Sequence, residues 1–380
     1  MTRVTEAAPM TIFLSGDVMT GRGVDQIFPT PSKRELREDF VKDARGYVGL
    51  AERAHGPIGR PVAHSYVWGH ALAVLAEVKP KASLVNLETS ITVSDDFWPG
   101  KGINYRMHPA NIQCLQAARV DVCALANNHV MDFGRSGLAE TLDVLHAAGI
   151  RAAGAGRDLD EARRPVRLDL GDDAALLVFA FGCESSGIPR AWAASPSRSG
   201  VDLLGDLSTR TADVIAARVR ASKRHGDIAL ASVHWGSNWG YEIDPKQAAF
   251  AHRLIEGGVD VVHGHSSHHV RPIEVYQGKL ILYGCGDLVN DYEGIGGHEE
   301  WRGDLGAMYF ATIAPQDGSL VGLRITPMHM RRLQLTRSER ADELELAEIL
   351  SRISRPYGSR FEWHETGTIV LKEPPVGVTP

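Results

Sequence analysis

Cysteine is scarce in this chain, and no apolar run is long. Four cysteines occur in 380 residues (Cys114, Cys123, Cys183 and Cys285), scattered and without CxxC spacing. No dense disulfide framework can be built from them, a reducing compartment fits them, and a catalytic thiol is not expected. Cys123 and Cys285 sit inside apolar runs, where a thiol packs as a small hydrophobe. No stretch has the length and uniform apolarity of a membrane span, and the opening MTRVTEAAPM lacks the apolar core of a signal peptide. A basic excess is missing as well. Lys and Arg total 41 against 47 Asp and Glu, a formal net charge of −6, so no basic field exists to hold phosphates regardless of sequence. The expectation is a soluble, cytoplasmic protein with no membrane and no nucleic-acid partner; oligomeric state is not legible.

What is present is a series of apolar runs that end in polar, ligand-type residues. Residues 259–274, VDVVHGHSSHHVRPIE, carry the densest example. Val259, Val261 and Val262 lead into His263, His265, His268 and His269, as expected of a buried strand reaching its end with several imidazoles on the following loop. The same pattern recurs upstream. MTIFLS (10–15) breaks into Gly16-Asp17, ASLVNL (82–87) ends on Glu88, VDVCALA (120–126) ends on Asn127-Asn128-His129, and DIALASVH (227–234) ends on His234. Further strands are expected at 150–155, 174–182 and 279–284, with an antiparallel pair over 306–328. Helices are expected at 66–78, 109–119, 137–148, 208–223, 245–256 and 338–353. An α/β fold follows, and loops at strand ends are where such folds place their chemistry.

The 43% apolar and 23% charged composition is ordinary for a globular protein, and no internal repeat or low-complexity linker interrupts it. A single domain over 1–380 is expected. Residues 25–65, of mixed charge and with several Pro and Gly, read as an insertion covering the site. The segment 338–380 reads as a helix followed by a loose tail ending in EPPVGVTP.

Carboxylate, amide and imidazole donors on five successive strand ends suit one or two divalent transition metals, whose identity (Mn, Zn, Fe, Co or Ni) the residues do not distinguish. No organic cofactor is expected. His129 with Asp132 suits acid/base work. Lys101 and Arg106 in the WPGKGINYRMHP loop, with Arg22, suit an anionic group. Trp235, Trp239 and Tyr241 suit the wall of a cleft.

The motifs GDVMTGRG, NLETSIT, INYRMHP, ALANNHVMDFG, VHWG, GHSSHHVRPIE and LYGCGDLV together resemble the CapA-like (poly-γ-glutamate capsule-synthesis) branch of the calcineurin-type metallophosphoesterase superfamily, over residues 10 to 330. The resemblance implies a four-layer α/β/β/α sandwich with a metal centre at the carboxyl ends of its strands. It implies Asp17 on a first metal, Glu88 in the bridging position, Asn128, His234 and His265 on a second metal, His268 on the first, and His129 as acid/base. The superfamily's Asp-x-His start is here Asp17-Val18-Met19, so one first-site ligand is absent. Asn238 and Asp287 stand where many relatives have Glu and Asn.

The branch includes intracellular enzymes of ribosomal-peptide maturation. The leading expectation is therefore a peptide epimerase, acting at the α-carbon of a C-terminal Trp-like residue in a lasso-type precursor. That reaction needs a proton acceptor and a donor on opposite faces of the carbon. His129 with Asp132 would serve one face, and one of His263, His269, Asp287 or Glu293 the other. Glu293 is also a candidate substrate contact. The alternatives are a metallohydrolase of phosphoesters or peptide-like amides, and a non-catalytic module that binds a peptide or polymer.

Overall fold

The computed structural model describes residues 8–171 and 174–372. Its two large sheets have different strand orders but a common seam. In the first, Met10–Val18 is central, with Ala82–Leu87, Val122–Ala124 and Arg151–Ala153 parallel to one side. On its other side Leu305–Ile313 and Leu320–Met330 run antiparallel, as the sequence predicts. In the second sheet Ala174–Gly182, Ile228–His234, Val261–His265 and Lys279–Leu282 are parallel neighbours, edged by antiparallel Val166–Gly171 and Ile273–Tyr276.

Side-chain alternation explains how these strands build layers, because successive residues of a strand face opposite sides of its sheet. Ile12, Leu14, Leu84 and Val122 of the first sheet meet Leu176, Val178, Leu230 and Val261 of the second in one apolar cluster between the sheets. Their alternates Phe13, Val85, Leu87 and Cys123 pack outward against Val48, Val74 and Leu138 of the helices Arg45–His55, Ala71–Val78 and Gly134–Ala147. On the far side Leu177, Phe179, Ala231 and Val262 pack against Ile215, Val219, Phe250 and Leu254 of Thr209–Ser222 and Pro245–Glu256. Three apolar cores thus separate four layers, the α/β/β/α sandwich expected from the sequence. Emptying a position such as Leu230, fully buried in the seam, is expected to cost roughly 2–5 kcal/mol.

Thr209–Ser222 and Pro245–Glu256 start where the chain supplies caps. Ser208 accepts from Thr211 N and Asp244 from Lys246 N, with Pro245 in the first turn. The chain after the Arg340–Ser354 helix is not the loose tail expected from its composition. Phe361–His364 and Thr368–Leu371 pair with each other, and the second of them with Leu320–Met330, burying Phe361 and Ile369. EPPVGVTP extends beyond the described residues. No helix among those described is long and apolar enough to cross a membrane.

Candidate metal centre

The columns of residues that line the seam turn polar at its carboxyl end. Leu84 is followed on the same face by Asn86 and Glu88, Leu230 by Ser232 and His234, and Val261 by His263 and His265. Asp17 reaches this face through an irregularity. The pairing of the first strand with Ala82–Leu87 slips between Ser15 and Asp17, which reverses the alternation that would have sent Asp17 outward with Phe13. Gly16 at the slip is pressed so closely on the chain that a Cβ would sit 1.9 Å from the Gly286 carbonyl oxygen. The same strand then takes a second parallel partner, Asp287–Val289, which sets Asp287 directly beside Asp17.

Two donor triads result, and Asp17 belongs to both. In Asp17, His234 and His265, as in Asp17, His268 and Asp287, one donor atom per residue falls within 4.8 Å of the other two. His234 and His265 are register neighbours on adjacent strands, with their Nδ1 atoms 2.8 Å apart. Ser232 Oγ holds the other nitrogen of His265 at 2.8 Å, and Asn128 Oδ1 lies 3.1 Å from His234 Nε2. In the second triad His268 Nδ1 is 3.0 Å from Asp287 Oδ1. The loop between His265 and His268 turns at Ser266, whose φ of +99° is a conformation non-glycine residues rarely adopt.

The donor chemistry fits a divalent cation. Asp17 Oδ2 is buried and has no hydrogen-bond partner, while Asn86 Nδ2 donates to Oδ1 at 2.7 Å. Burial and the Asp287 carboxylate push the Asp17 carboxyl up to about 6, and burial with Asp17 pushes its hydrogen-bonded neighbour Glu88 well above the usual range. Burial, reinforced by neighbouring imidazoles, holds His234 and His265 well below the usual histidine range, so they present neutral, ligating nitrogens. Three acids packed together in a buried pocket favour a cation among them.

His129 stands beside this group. Its Nδ1 is 2.7 Å from Asp132 Oδ2 and its Nε2 is 3.7 Å from Glu88 Oε1. Asp132 is fully buried and also accepts from Tyr105 N at 2.7 Å and from Lys101 Nζ at 2.5 Å. Burial, opposed by Asp132, moves the His129 imidazole down to about 4. His129, Lys101, Glu88, Asn128 and His268 line a chamber of about 210 Å³. The chamber opens into a cleft of about 630 Å³, walled by Tyr47, Tyr105, Trp239 and Tyr292 among others. Phe40, Tyr47 and His55 of the 25–65 segment border this cleft.

Several residues singled out from sequence lie elsewhere or do something else. Asp287, read as an acid/base candidate, sits instead among the metal-type donors, beside Asp17 and His268. His269, also read as catalytic, is fully buried in a box of rings formed by Trp239, Tyr241 and Trp301, with Nδ1 at 2.9 Å from the Val270 carbonyl oxygen. Trp235 is core: it packs on Phe250 and Tyr283 behind the second sheet and donates to the Tyr283 carbonyl. Tyr241 belongs to the His269 box rather than to the cleft wall. Arg106 ties loops together through Ser94, Asp95 and the Lys33 carbonyl. Arg22 reaches the cleft with its guanidinium already bound to Asp291 and Glu38 and stacked on Tyr47. Glu293 accepts from the backbone of Arg332 and Leu333 and pairs with His55.

Asn86 and Ser232 are not singled out by the sequence, and Asn127 is read there only as part of a strand terminus. Asn127 binds Asn86 and Leu87 through its amide nitrogen, and its oxygen accepts from the His129 and Val130 amides, so it fixes the loop that carries the acid/base. A signal for Asn86 and Ser232 existed: each is a polar residue inside an otherwise apolar alternation.

Comparison with known families assigns the chain to one of them. Residues 11–292 match the model of the family described as "Bacterial capsule synthesis protein PGA_cap". The chain belongs to the PGA_cap family. Among curated relatives, the "Probable polyglutamine synthesis accessory protein Rv0574c" of Mycobacterium tuberculosis is 51% identical over 352 residues, covering 92% of this chain and 93% of its own. The "PGA biosynthesis protein CapA" of Bacillus subtilis is 27% identical over 207 residues, 54% of this chain and 52% of its own. A crystal structure of a 5'-nucleotidase precursor from Thermus thermophilus aligns with 89% of this chain and 58% of its own, at 15% identity and a TM-score of 0.46. For this PGA_cap member, the donor set makes divalent metal the cofactor class to test.

Proposed function

We propose that this protein is a metal-dependent hydrolase acting on a peptide-like amide or phosphoester bond during the synthesis of an amino-acid polymer. The observation that carries the reading is Asp17, one buried carboxylate shared by two donor triads and left with an unpartnered oxygen. Asp17, His234 and His265, with Asn128, would hold one cation; Asp17, His268 and Asp287 would hold the other. When bound, such cations polarise an acyl or phosphoryl oxygen and acidify an attacking water.

The chain's own residues supply the rest. His129 presents Nε2 to the chamber; with its own proton on Nδ1 toward Asp132, Nε2 takes a proton from the attacking water and returns it to the departing group. Asp132 fixes the imidazole through Nδ1 and is itself fixed by Lys101 and the Tyr105 amide. Asn238, whose amide nitrogen is 3.1 Å from His268 Nε2, orients that ring at the chamber wall.

Hydrolysis is preferred to epimerisation because each residue named for the second face of the carbon is engaged elsewhere. His263 spans Ser232 Oγ and the Ser15 carbonyl behind the centre, His269 is boxed by rings, Asp287 sits among the donors, and Glu293 is engaged by two backbone amides and His55. A polymer of glutamine or glutamate as the peptide-like substrate takes its support from the names of the two relatives. A cytoplasmic setting, in keeping with four unpaired cysteines, is part of the same proposal.

The test loads purified protein with Mn²⁺ or Zn²⁺ and supplies p-nitrophenyl phosphate and oligoglutaminyl and oligoglutamyl peptides, with peptide incubations run in D2O. Release of phosphate or of a new amine is expected, abolished by chelator. Deuterium entering an α-carbon without bond cleavage would replace this reading with the epimerase.

A further inference from the structure

We infer that the cleft leading to the metal centre is built for a chain with uncharged side chains and rejects one bearing free carboxylates. The inference deepens the proposed function and rests on it for the location of the site. The first observation is that the cations lining chamber and cleft are already committed. Arg22 binds Asp291 and Glu38, with both partners of each pair almost fully buried. Arg302 is held by Asp304 and Asp342 at 2.8–3.0 Å and by Glu345. Arg331 pairs with Glu339 and Lys101 with Asp132. At Arg22 or Lys101 a substrate carboxylate would have to displace Asp291, Glu38 or Asp132, each almost fully buried, and leave it unpaired; at Arg302 and Arg331, whose acids are more exposed, it would sit beside carboxylates already in place. Both arrangements are strongly unfavourable for charges of one sign in a water-poor site.

The second observation is independent of charge. Phe40, Ile103 and Ile295, which are 77%, 44% and 50% exposed, all border this cleft. Together with Tyr47, Tyr105, Trp239 and Tyr292 they give it an apolar rim and aromatic walls. A backbone with apolar or primary-amide side chains can lie there, its neutral groups making hydrogen bonds at no electrostatic penalty. Carboxylate groups have a place only at the metal centre itself.

The test compares two acetylated and amidated hexapeptides, all-glutamine and all-glutamate, for binding to the metal-loaded full chain by calorimetry at pH 7.5, at low and high salt. The glutamine peptide is expected to bind at least about tenfold more tightly, with little salt dependence. In the Asp304→Asn/Glu345→Gln variant, which leaves Arg302 with one carboxylate, Asp342, in place of three, glutamate-peptide affinity is expected to rise. Equal affinities, tighter and salt-sensitive binding of the glutamate peptide, or no binding of either would overturn the inference. Affinity rather than turnover is read, so this outcome is separate from the hydrolase assay. A catalytically silent protein with a glutamine preference keeps the cleft inference, and an active one that prefers glutamate loses it.

Discussion

The two donor triads share Asp17 but are held in different ways. His234 and His265 come from neighbouring strands of one sheet, in register, fully buried, and braced by Ser232 and Asn128. His268 and Asp287 come from a loop that turns through a strained Ser266 and from a short strand recruited to the far side of Met10–Val18. His268 also borders the cleft. A site positioned by sheet register is rigid because moving one ligand means sliding a whole strand, whereas a site positioned by a loop can adjust or exchange. On the proposed reading, the deep triad would be the structural half of the centre and the rim triad the half that meets substrate.

The most severe way to break this comparison is to remove the shared member. Asp17→Asn should abolish binding of both metal equivalents and reduce turnover to background, measured by elemental analysis and the hydrolase assay. Retention of one full equivalent would show that the triads are independent. Next come the separate halves: His265→Ala and His268→Ala should each lose one equivalent, and graded chelation of the wild type should empty the rim position first. If both variants lose both metals together, the division into deep and rim positions fails. His129→Gln should keep the metal and lower turnover by roughly 10²–10⁴-fold; unchanged turnover would take His129 out of the mechanism. Smaller still, Ser232→Ala touches only the brace of His265, and should weaken metal affinity by roughly 10–100-fold in a competition titration against a chromogenic chelator.

The last prediction concerns pH in the metal-free protein. Burial and Asp287 raise the Asp17 carboxyl from 3.8 to about 6. Because the folded state holds this proton more tightly than the unfolded chain, its contribution to stability is full below pH 3.8 and is lost as pH rises through about 6. Asn carries no such proton. Metal-free Asp17→Asn should therefore be more stable than metal-free wild type at about pH 7.5, by on the order of 1–3 kcal/mol, with the difference shrinking toward about pH 4. A difference independent of pH would refute the assignment.

Much of this was legible before any coordinates. The strands Ala82–Leu87 and Ala174–Gly182 and the helix Pro245–Glu256 fall where apolar runs and a first-turn proline predict them, because periodicity and capping are written within a short window. Asp17, Glu88, Asn128, His234, His265 and His268 do converge, since each ends a strand whose polar terminus must leave the apolar seam. The errors have a common cause. Trp235 and His269 carry the residue types of a binding site, but nothing local says that Trp235 turns behind the second sheet or that three rings enclose His269. The edge strands Val166–Gly171 and Ile273–Tyr276 were missed because their stability depends on long-range partners.

The order of residues by itself determined the layers, the strand ends and the family, all of which follow from patterns that a short window contains. Only the folded chain decided that a slip at Gly16 turns Asp17 into the seam. Only the folded chain decided that Asp287, far along the chain, stands next to it by strand pairing rather than by any local pattern. Register between distant strands is fixed by the packing of the whole sandwich, and no local stretch of sequence encodes it.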